Sequence, residues 1–505
     1  MKNKSRNNTN KFLSSVFMDC WAGMDDQFGA FCKVLRERHN TVFTFLVSSP
    51  KRKAVIEKWC EPGDVIVVES EDVLISTPDS SGIDECLAKA KNFETLYNVS
   101  YMKDIIFPDR SLSCGFKLYA DTSMFNYAAN ADFNLVVSQI NRSFEFYSQL
   151  FEERKISFLL AQPSGHLFTP MIYVAKKNNT KITFPMSSRI GYLYSFGSDE
   201  MMGNELIKSE FMKLGDEIVN RSSFEPRQLM VEHFKQAIET ISVQHLIKQC
   251  MRATFNRAIF LAIDLKNRRI SKRASYLSVI LNLFAKWQVA KWLVNNSSKK
   301  ITKQKGQKIF TFFMQVEPEV TTNHYNKEFN NSLAFIQQLS ASLPIDCKLY
   351  VKEHFSNIGN RSNEFYARIK ALPNVDLLDF RLRGPDVLAE TDVVVTGNGT
   401  VGLEASLLGL PVIVFSKHAQ YNFLKNVREV EDLFHIENCI KKVSEGISSQ
   451  DREMWINDAF KYNRAVKNVS YNVPFAKEQG LTGEMPAEEA TKAIELLEKI
   501  VTSRI

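Results

Sequence analysis

Residues 391–415 read TDVVVTGNGTVGLEASLLGLPVIVF. A β-branched run stops at Gly397-Asn398-Gly399-Thr400, a helical pattern follows, and Leu-Gly-Leu-Pro leads into a second apolar run. Strand, turn, helix, strand is the repeating unit of an open parallel sheet. Glycine lets the turn adopt φ > 0 and lets another group come close. Thr400 is placed to cap the helix or to offer its hydroxyl. The first N–H groups of a helix lack partners within it, and with the helix dipole they form an anion site. Two readings stand together: a phosphate cradle, or a tight corner with a threonine cap. The spacing is neither the dinucleotide GxGxxG nor a P-loop, which needs Gly-Lys-Ser/Thr.

The same rhythm extends upstream. KIFTFFMQ, CKLYVKEH and NVDLLDF read as strands, and FNNSLAFIQQLSASL, NEFYARIKAL and GPDVLAET as helices. Earlier, TVFTFLV, DVIVVES, KISFLLAQ and KITFPMSS read as strands around helical ADFNLVVSQINRSFEFYSQLFEER and TPMIYVAKKNN. The 505 residues exceed one ordinary core. The expected fold is α/β, with two doubly wound domains whose ligands sit beyond the carboxyl ends of the strands. The expected divisions are an N-terminal domain over 1–235, a helical basic connector over 236–305, a C-terminal domain over 306–480 and a final helix over 481–505. From the end of the connector to Lys308, NSSKKITKQKGQK reads as a polar linker.

Composition is that of a folded protein, 44% hydrophobic and 24% charged. A net charge of +7 over this length does not argue for nucleic acid, and no nucleic-acid-binding signature accompanies it. None of the eight cysteines lies in a CxxC pair, so reduced thiols in the cytoplasm are expected and a structural zinc is not. The start, MKNKSRNNTNKFLSS, lacks the apolar core of a signal peptide. No stretch approaches the roughly 18–20 apolar residues of a membrane span.

Several strand ends carry chemistry-bearing residues. Alternation puts Lys352 and His354 on one side of their strand and Glu353 on the other. The first two suit a phosphate, or His354 is structural. Glu404 lies four residues after Thr400, as a dipole partner of the helix or an acceptor for ribose hydroxyls. Glu317 and Glu319 follow KIFTFFMQ and suit acid–base work, sugar hydroxyls or a solvated loop. In the first half, His166 follows KISFLLAQ, and Ser188-Arg189 follow KITFPM, where Arg189 suits a carboxylate or phosphate; His166 and Arg189 equally suit structural roles. No paired-aspartate metal site is present.

These pieces together resemble the bacterial capsular polysaccharide biosynthesis proteins, a GT-B-like family that includes β-Kdo transferases of capsule and lipopolysaccharide assembly. MQVEPEVTT resembles the family's Gln-Pro-Glu-x-Thr segment, with one extra residue before Pro-Glu. LYVKEHFSNIGNRSNEFYARIKALPNVDLL is similar to its Lys-Glu-His-Pro block, with Phe355 in place of proline. TGNGTVGLEASLLGLPVIVF is similar to its Gly-Thr-x-Gly-x-Glu-Ala block, and AKKNNTKITFPMSSRIG to its Thr/Ser-Arg-Ile-Gly segment. The likeness spans 305–425 and, more loosely, 155–200.

The resemblance implies a GT-B-like pair of Rossmann-like domains facing an interdomain cleft. It implies a metal-independent glycosyltransferase that moves a sugar from a nucleotide-activated donor to a glycan or lipid-linked acceptor in surface polysaccharide assembly. Asn398, Gly399, Thr400 and Gly402 would then border the donor phosphate and Glu404 the ribose. Lys352 and His354 would neutralise the leaving nucleotide. His166, Glu317 and Glu319 become the candidate catalytic groups, and Ser188 and Arg189 line the acceptor side. No cofactor is implied; the donor is a substrate, with CMP among the candidate nucleotides. The basic region 245–310 fits a peripheral contact with the anionic inner membrane, or a packed interdomain helix with a charged face. The alternatives are a related nucleotide-sugar epimerase, a glycerol-phosphate transferase, or a non-catalytic assembly protein.

Overall fold

The structure, a computed structural model, describes residues 12–19, 28–47, 50–68, 82–109, 133–161, 165, 167–199, 201, 203–215, 241–266, 276–317, 324–326, 329, 331–359, 361–416, 418–430, 433, 436–444, 447–473 and 485–502. The chain divides into two compact units. One comprises Met1–Ile106, Asp132–Arg227 and Phe460–Ile505; the other comprises Phe107–Ala131 and Gln228–Ala459.

The first unit is built on β1 (Ser15–Asp19), β2 (Val42–Val47), β3 (Val65–Val68), β4 (Phe158–Leu160) and β5 (Lys181–Thr183). Their order is β3-β2-β1-β4-β5 and every pairing is parallel. The apolar runs VFM, VFTFLV and FLL suit a sheet covered on both faces. Helix Phe133–Arg154 packs against helices Thr169–Lys177 and Ile83–Tyr97. KITFPMSS does not run on as one strand. After Thr183 the chain leaves the parallel sheet, and β6 (Pro185–Ser187) and β7 (Leu193–Phe196) pair antiparallel. Pro185 lacks an N–H for a ladder and marks the break.

The second unit carries β8 (Lys308–Phe313), β9 (Cys347–Lys352), β10 (Val375–Leu378), β11 (Val393–Thr396), β12 (Val412–Val414) and β13 (Val427–Glu429). The order is β10-β9-β8-β11-β12-β13, again parallel throughout. Read by rank, this is 3-2-1-4-5-6, the doubly wound Rossmann order, which reverses between its first and fourth strands. Alternation along β8 serves two layers: Phe310 and Phe312 enter one core with Leu349, Val351, Val395 and Ile413, while Ile309 packs with Tyr350, Leu378 and Val387. Both units are therefore Rossmann-like.

Two segments depart from the sequence expectation. The basic connector is part of the second unit: helix Tyr276–Asn296 buries Val289, Ala290 and Leu293 in the larger core. The polar run after it is tied to the sheet and is no free linker. Ser298 bridges Leu378, the Thr302 N–H donates to the Tyr350 hydroxyl at 3.0 Å, and Lys303 pairs with Asp392 at 2.6 Å.

The chain's end returns to the first unit. Here β14 (Tyr471–Asn472) pairs with β7, completing a small sheet in the order β14-β7-β6. Helix Ala487–Thr502 packs on helix Phe28–His39, where Glu498 receives Arg38 at 3.3 Å and His39 at 2.9 Å. The final helix is thus no separate segment, and its apolar stripe of Ala493, Ile494, Leu497 and Ile500 is buried.

Candidate functional site

The strand order of the second unit reverses between β8 and β11, and the turn 397–400 leaves β11 at that point. The register pairs Phe313 with both Lys352 and Thr396, so these three residues stand level across β9, β8 and β11. Lys352 and the Gly-Asn-Gly-Thr turn therefore emerge at one height, separated by two strand spacings, about 10 Å.

Helix Thr400–Leu407 begins with Gly399 as its N-cap, at φ −78 and ψ 151, and no side chain closes the cap. Thr400 is the first helical residue, so it does not cap the helix. The glycines are not there for φ > 0, which neither Gly397 nor Gly399 adopts. They are there for close approach. A Cβ on Gly397 would lie 2.5 Å from Gln315 Oε1 and 2.9 Å from Phe415 Cε2. One on Gly399 would lie 2.7 Å from Thr396 Oγ1. The Gln315 side chain, from the loop after β8, thus lies directly over the turn after β11.

Gly402 is set by a different neighbour. A Cβ there would lie 2.2 Å from the Tyr421 hydroxyl, which itself donates to the Gly399 carbonyl at 2.6 Å. Tyr421 comes from the loop after β12 and holds the turn from behind. Gly402 is buried against it, a packing role in place of the phosphate-facing one that the resemblance implies. Asn398 is also buried, and its Nδ2 donates to the His418 carbonyl at 3.3 Å. It supports the turn from within.

Glu404 lies one turn into the helix and is partly buried. Among the described residues no hydrogen bond or ion pair engages its carboxylate, and burial pushes its pKa up. A carboxylate so placed gains from any hydroxyl donor that reaches it. Lys352 is also partly buried: its Nζ donates to the Phe380 carbonyl at 3.2 Å. Burial pushes its pKa down to about 8, opposed by the Glu353 and Asp379 carboxylates. His354 opens the short turn Phe355–Asn357, and its Nδ1 accepts the Ser356 N–H at 3.3 Å. In the neutral ring that places the proton on Nε2, a donor.

Behind these groups lies an ionic network that the sequence reading did not find. Glu353 points into the core, opposite to Lys352 and His354, and is 2% exposed. It accepts from the Arg361 guanidinium and, at 2.8 Å, from the Tyr366 hydroxyl. Arg361, 1% exposed, also pairs with Glu317 at 2.8 Å and donates to the Gln315 carbonyl at 3.2 Å. Ser332 donates to Glu317, and the Glu317 N–H donates to Asn357 Oδ1 at 3.3 Å. Burial opposes the Arg361 charge, but Glu353 and Glu317 more than offset it and hold its pKa above the ordinary value. Glu317 is thus committed to fastening the β8 and β9 loops together, which leaves it poorly placed for acid–base work. One signal was legible: a glutamate that alternation turns into a core needs a cation, and Arg361 follows eight residues later.

The remaining candidates belong to the first unit or fall outside the described residues. Ser188 is 1% exposed and its hydroxyl donates to the Leu193 carbonyl at 2.8 Å, so it closes the β6–β7 turn in the first unit. Arg189 follows in that turn with φ 62, and its N–H donates to Ser187 Oγ at 3.3 Å. His166 and Glu319 lie outside the described residues. Among the described residues no group of His, Cys, Asp and Glu could hold a metal ion.

No protein-family model matches this chain, and no curated protein sequence is significantly similar to it. Solved structures match it only at low similarity. A β-Kdo 2,4-transferase from Thermosulfurimonas dismutans covers 67% of this chain and 87% of its own at 12% identity, with a TM-score of 0.31. The UDP-GlcNAc 2-epimerase from Neisseria meningitidis covers 90% and 98% at 8% identity, with a TM-score of 0.28. The calicheamicin glycosyltransferase covers 90% and 96% at 10% identity, with a TM-score of 0.26. Similarity at this level does not bear on function; the Rossmann-like assignment follows from the strand orders themselves.

Proposed function

We propose that the second unit binds a nucleotide-activated sugar and that the protein is a glycosyltransferase of the GT-B type. One observation carries this reading. An uncapped helix N-terminus opens at the strand-order reversal, with an unengaged carboxylate one turn behind it. The open N–H groups suit a donor phosphate, and Glu404 suits two ribose hydroxyls. Lys352 and the Nε2–H of His354 then lie on the side where negative charge grows as the bond to the leaving phosphate breaks. In the transfer, an acceptor hydroxyl attacks the anomeric carbon, the nucleotide leaves with the bonding pair, and a base takes the hydroxyl proton. His166 is the proposed base. The proposed acceptor is a glycan or lipid-linked glycan of surface polysaccharide assembly, following the motif resemblance.

A second reading, a donor-binding assembly protein without turnover, is favoured by the commitment of Glu317 to Arg361. The two separate experimentally. CMP-, UDP-, GDP- and CDP-linked sugars are screened for thermal stabilisation, which rises with saturation. Donors that stabilise the protein are then followed for hydrolysis and transfer. Glu404→Ala and His354→Ala should abolish stabilisation by the matching donor. A wild-type shift in both variants would overturn the site, and stabilisation without hydrolysis or transfer would favour the second reading.

A further inference from the structure

Helix Val243–Lys266 carries a surface that the donor site does not use. Val243, Ile247, Met251 and Phe255 recur every fourth residue and are 52%, 54%, 67% and 67% exposed. Fourth-residue spacing advances only about 40° per step, so the four side chains form one stripe roughly 18 Å long. Exposed Lys248 and Arg252 border it along one edge. No acidic residue occurs over 243–258 or over 276–296. The helix packs against Tyr276–Asn296, where Leu281 and Phe284 are 56% and 46% exposed. That second helix is anchored in the core through Val289, Ala290 and Leu293, and Trp287 Nε1 donates to the Ile241 carbonyl at 3.1 Å. Among the described residues no helix is long and apolar enough to cross a membrane.

An apolar stripe edged by cations, without acids and mounted on a packed helix pair, has the chemistry of an element that lies in a membrane interface. Its apolar side enters the acyl boundary and its cations meet anionic headgroups. We propose that the face Val243–Ile247–Met251–Phe255, with Lys248 and Arg252, docks this protein onto an anionic lipid bilayer without spanning it. A duplex or single-stranded nucleic acid would use the cations but leave the stripe wet. The inference stands on this helix pair and does not depend on the donor reading.

The test is vesicle flotation of the full chain. Phosphatidylcholine vesicles containing about one third phosphatidylglycerol are compared with phosphatidylcholine alone, at low and high salt. Two double variants are included, Met251→Ser/Phe255→Ser and Lys248→Glu/Arg252→Glu. All four side chains are exposed, so both variants should keep the wild-type melting temperature. The wild type should float with the anionic vesicles and little with the neutral ones. Charge reversal should weaken partitioning about 25-fold or more, and the serine variant should abolish it. No partitioning by the wild type, equal partitioning into both vesicles, or wild-type partitioning by either variant overturns the proposal. So does a concentration-dependent dimer that the serine variant dissolves, without vesicle binding, because it assigns the stripe to a second copy of the chain.

Discussion

The Tyr421 hydroxyl fills the place a Cβ on Gly402 would take, and from there it donates to the Gly399 carbonyl at 2.6 Å. The turn at the helix start is therefore shaped by a residue from the loop after the next strand. Gly402→Ala should displace Tyr421 and cost about 1–3 kcal/mol, as overpacking does. It should also weaken donor-dependent stabilisation. Tyr421→Phe should cost about 1 kcal/mol for the lost bond while keeping the ring. The double variant should gain little over Gly402→Ala, because ring atoms Cε2 and Cζ also lie 2.7 Å from that point. Melting temperatures with and without donor check all three; a neutral Gly402→Ala contradicts the assignment.

Lys352 gives the site a pH dependence. Burial lowers its pKa to about 8, so it is charged below that value and neutral above it. Nucleotide affinity should be highest below pH 8 and fall as pH rises through it. The free protein should respond with the opposite sign: its folded state releases this proton before the unfolded chain does, so stability gains from the residue as pH rises above 8. Calorimetric titration between about pH 6.5 and 9.5 reads the affinity limb. Lys352→Met should be weaker at low pH and flat across the range.

Arg361 stands between two carboxylates with 1% of its surface exposed. Arg361→Met leaves Glu353 buried and uncompensated, at an expected cost of about 3–5 kcal/mol. Adding Glu353→Met should recover part of that loss. Glu317→Gln tests the acid–base expectation directly. A group that only fastens loops should lose stability and activity together, whereas a catalytic carboxylate should lose activity by about 100-fold or more with its melting temperature kept.

Asp379 answers to acid. Burial raises its pKa, but hydrogen bonds from Arg381 and Lys299 dominate and lower it from 3.8 to about 2. A depressed carboxylate stabilises the fold above its unfolded value, and that contribution disappears as pH falls from about 4 to about 2. Asp379→Asn should remove about 1–2 kcal/mol at neutral pH, allowing for the exposed Lys299 partner, and should flatten the acid limb. Acid unfolding followed by circular dichroism measures both.

The layering was legible because buried parallel strands write themselves as short β-branched runs between helical patterns. VVVT and VIV on β11 and β12 are fully buried, as such runs should be. The places of Lys352 and Glu353 followed from alternation alone. The turn 397–400 and the close approach its glycines permit were legible, but φ > 0 was not needed, and the approaching groups, Gln315, Thr396 and Tyr421, lie outside the turn. No local pattern marks a tyrosine that reaches back 22 residues to bond a carbonyl. Glu317 looked like a catalytic carboxylate because its partner Arg361 lies on another loop. The basic run at 296–308 looked like a linker because its hydrogen bonds go to β10, to Tyr350 and to Asp392, all distant in sequence.

The order in which the chain visits its units has a consequence for synthesis. The first unit closes only when β14 pairs with β7 and the last helix covers helix Phe28–His39. During translation the parallel sheet, all within 15–183, can form early, but that apolar helix face stays uncovered until residues 460–505 have emerged. The sheet of the second unit lies entirely within 308–429 and is complete before residues 460–505 emerge. A ribosome stalled after Glu429 would therefore carry all six strands of the second unit's sheet while the first unit still lacked β14 and its last helix.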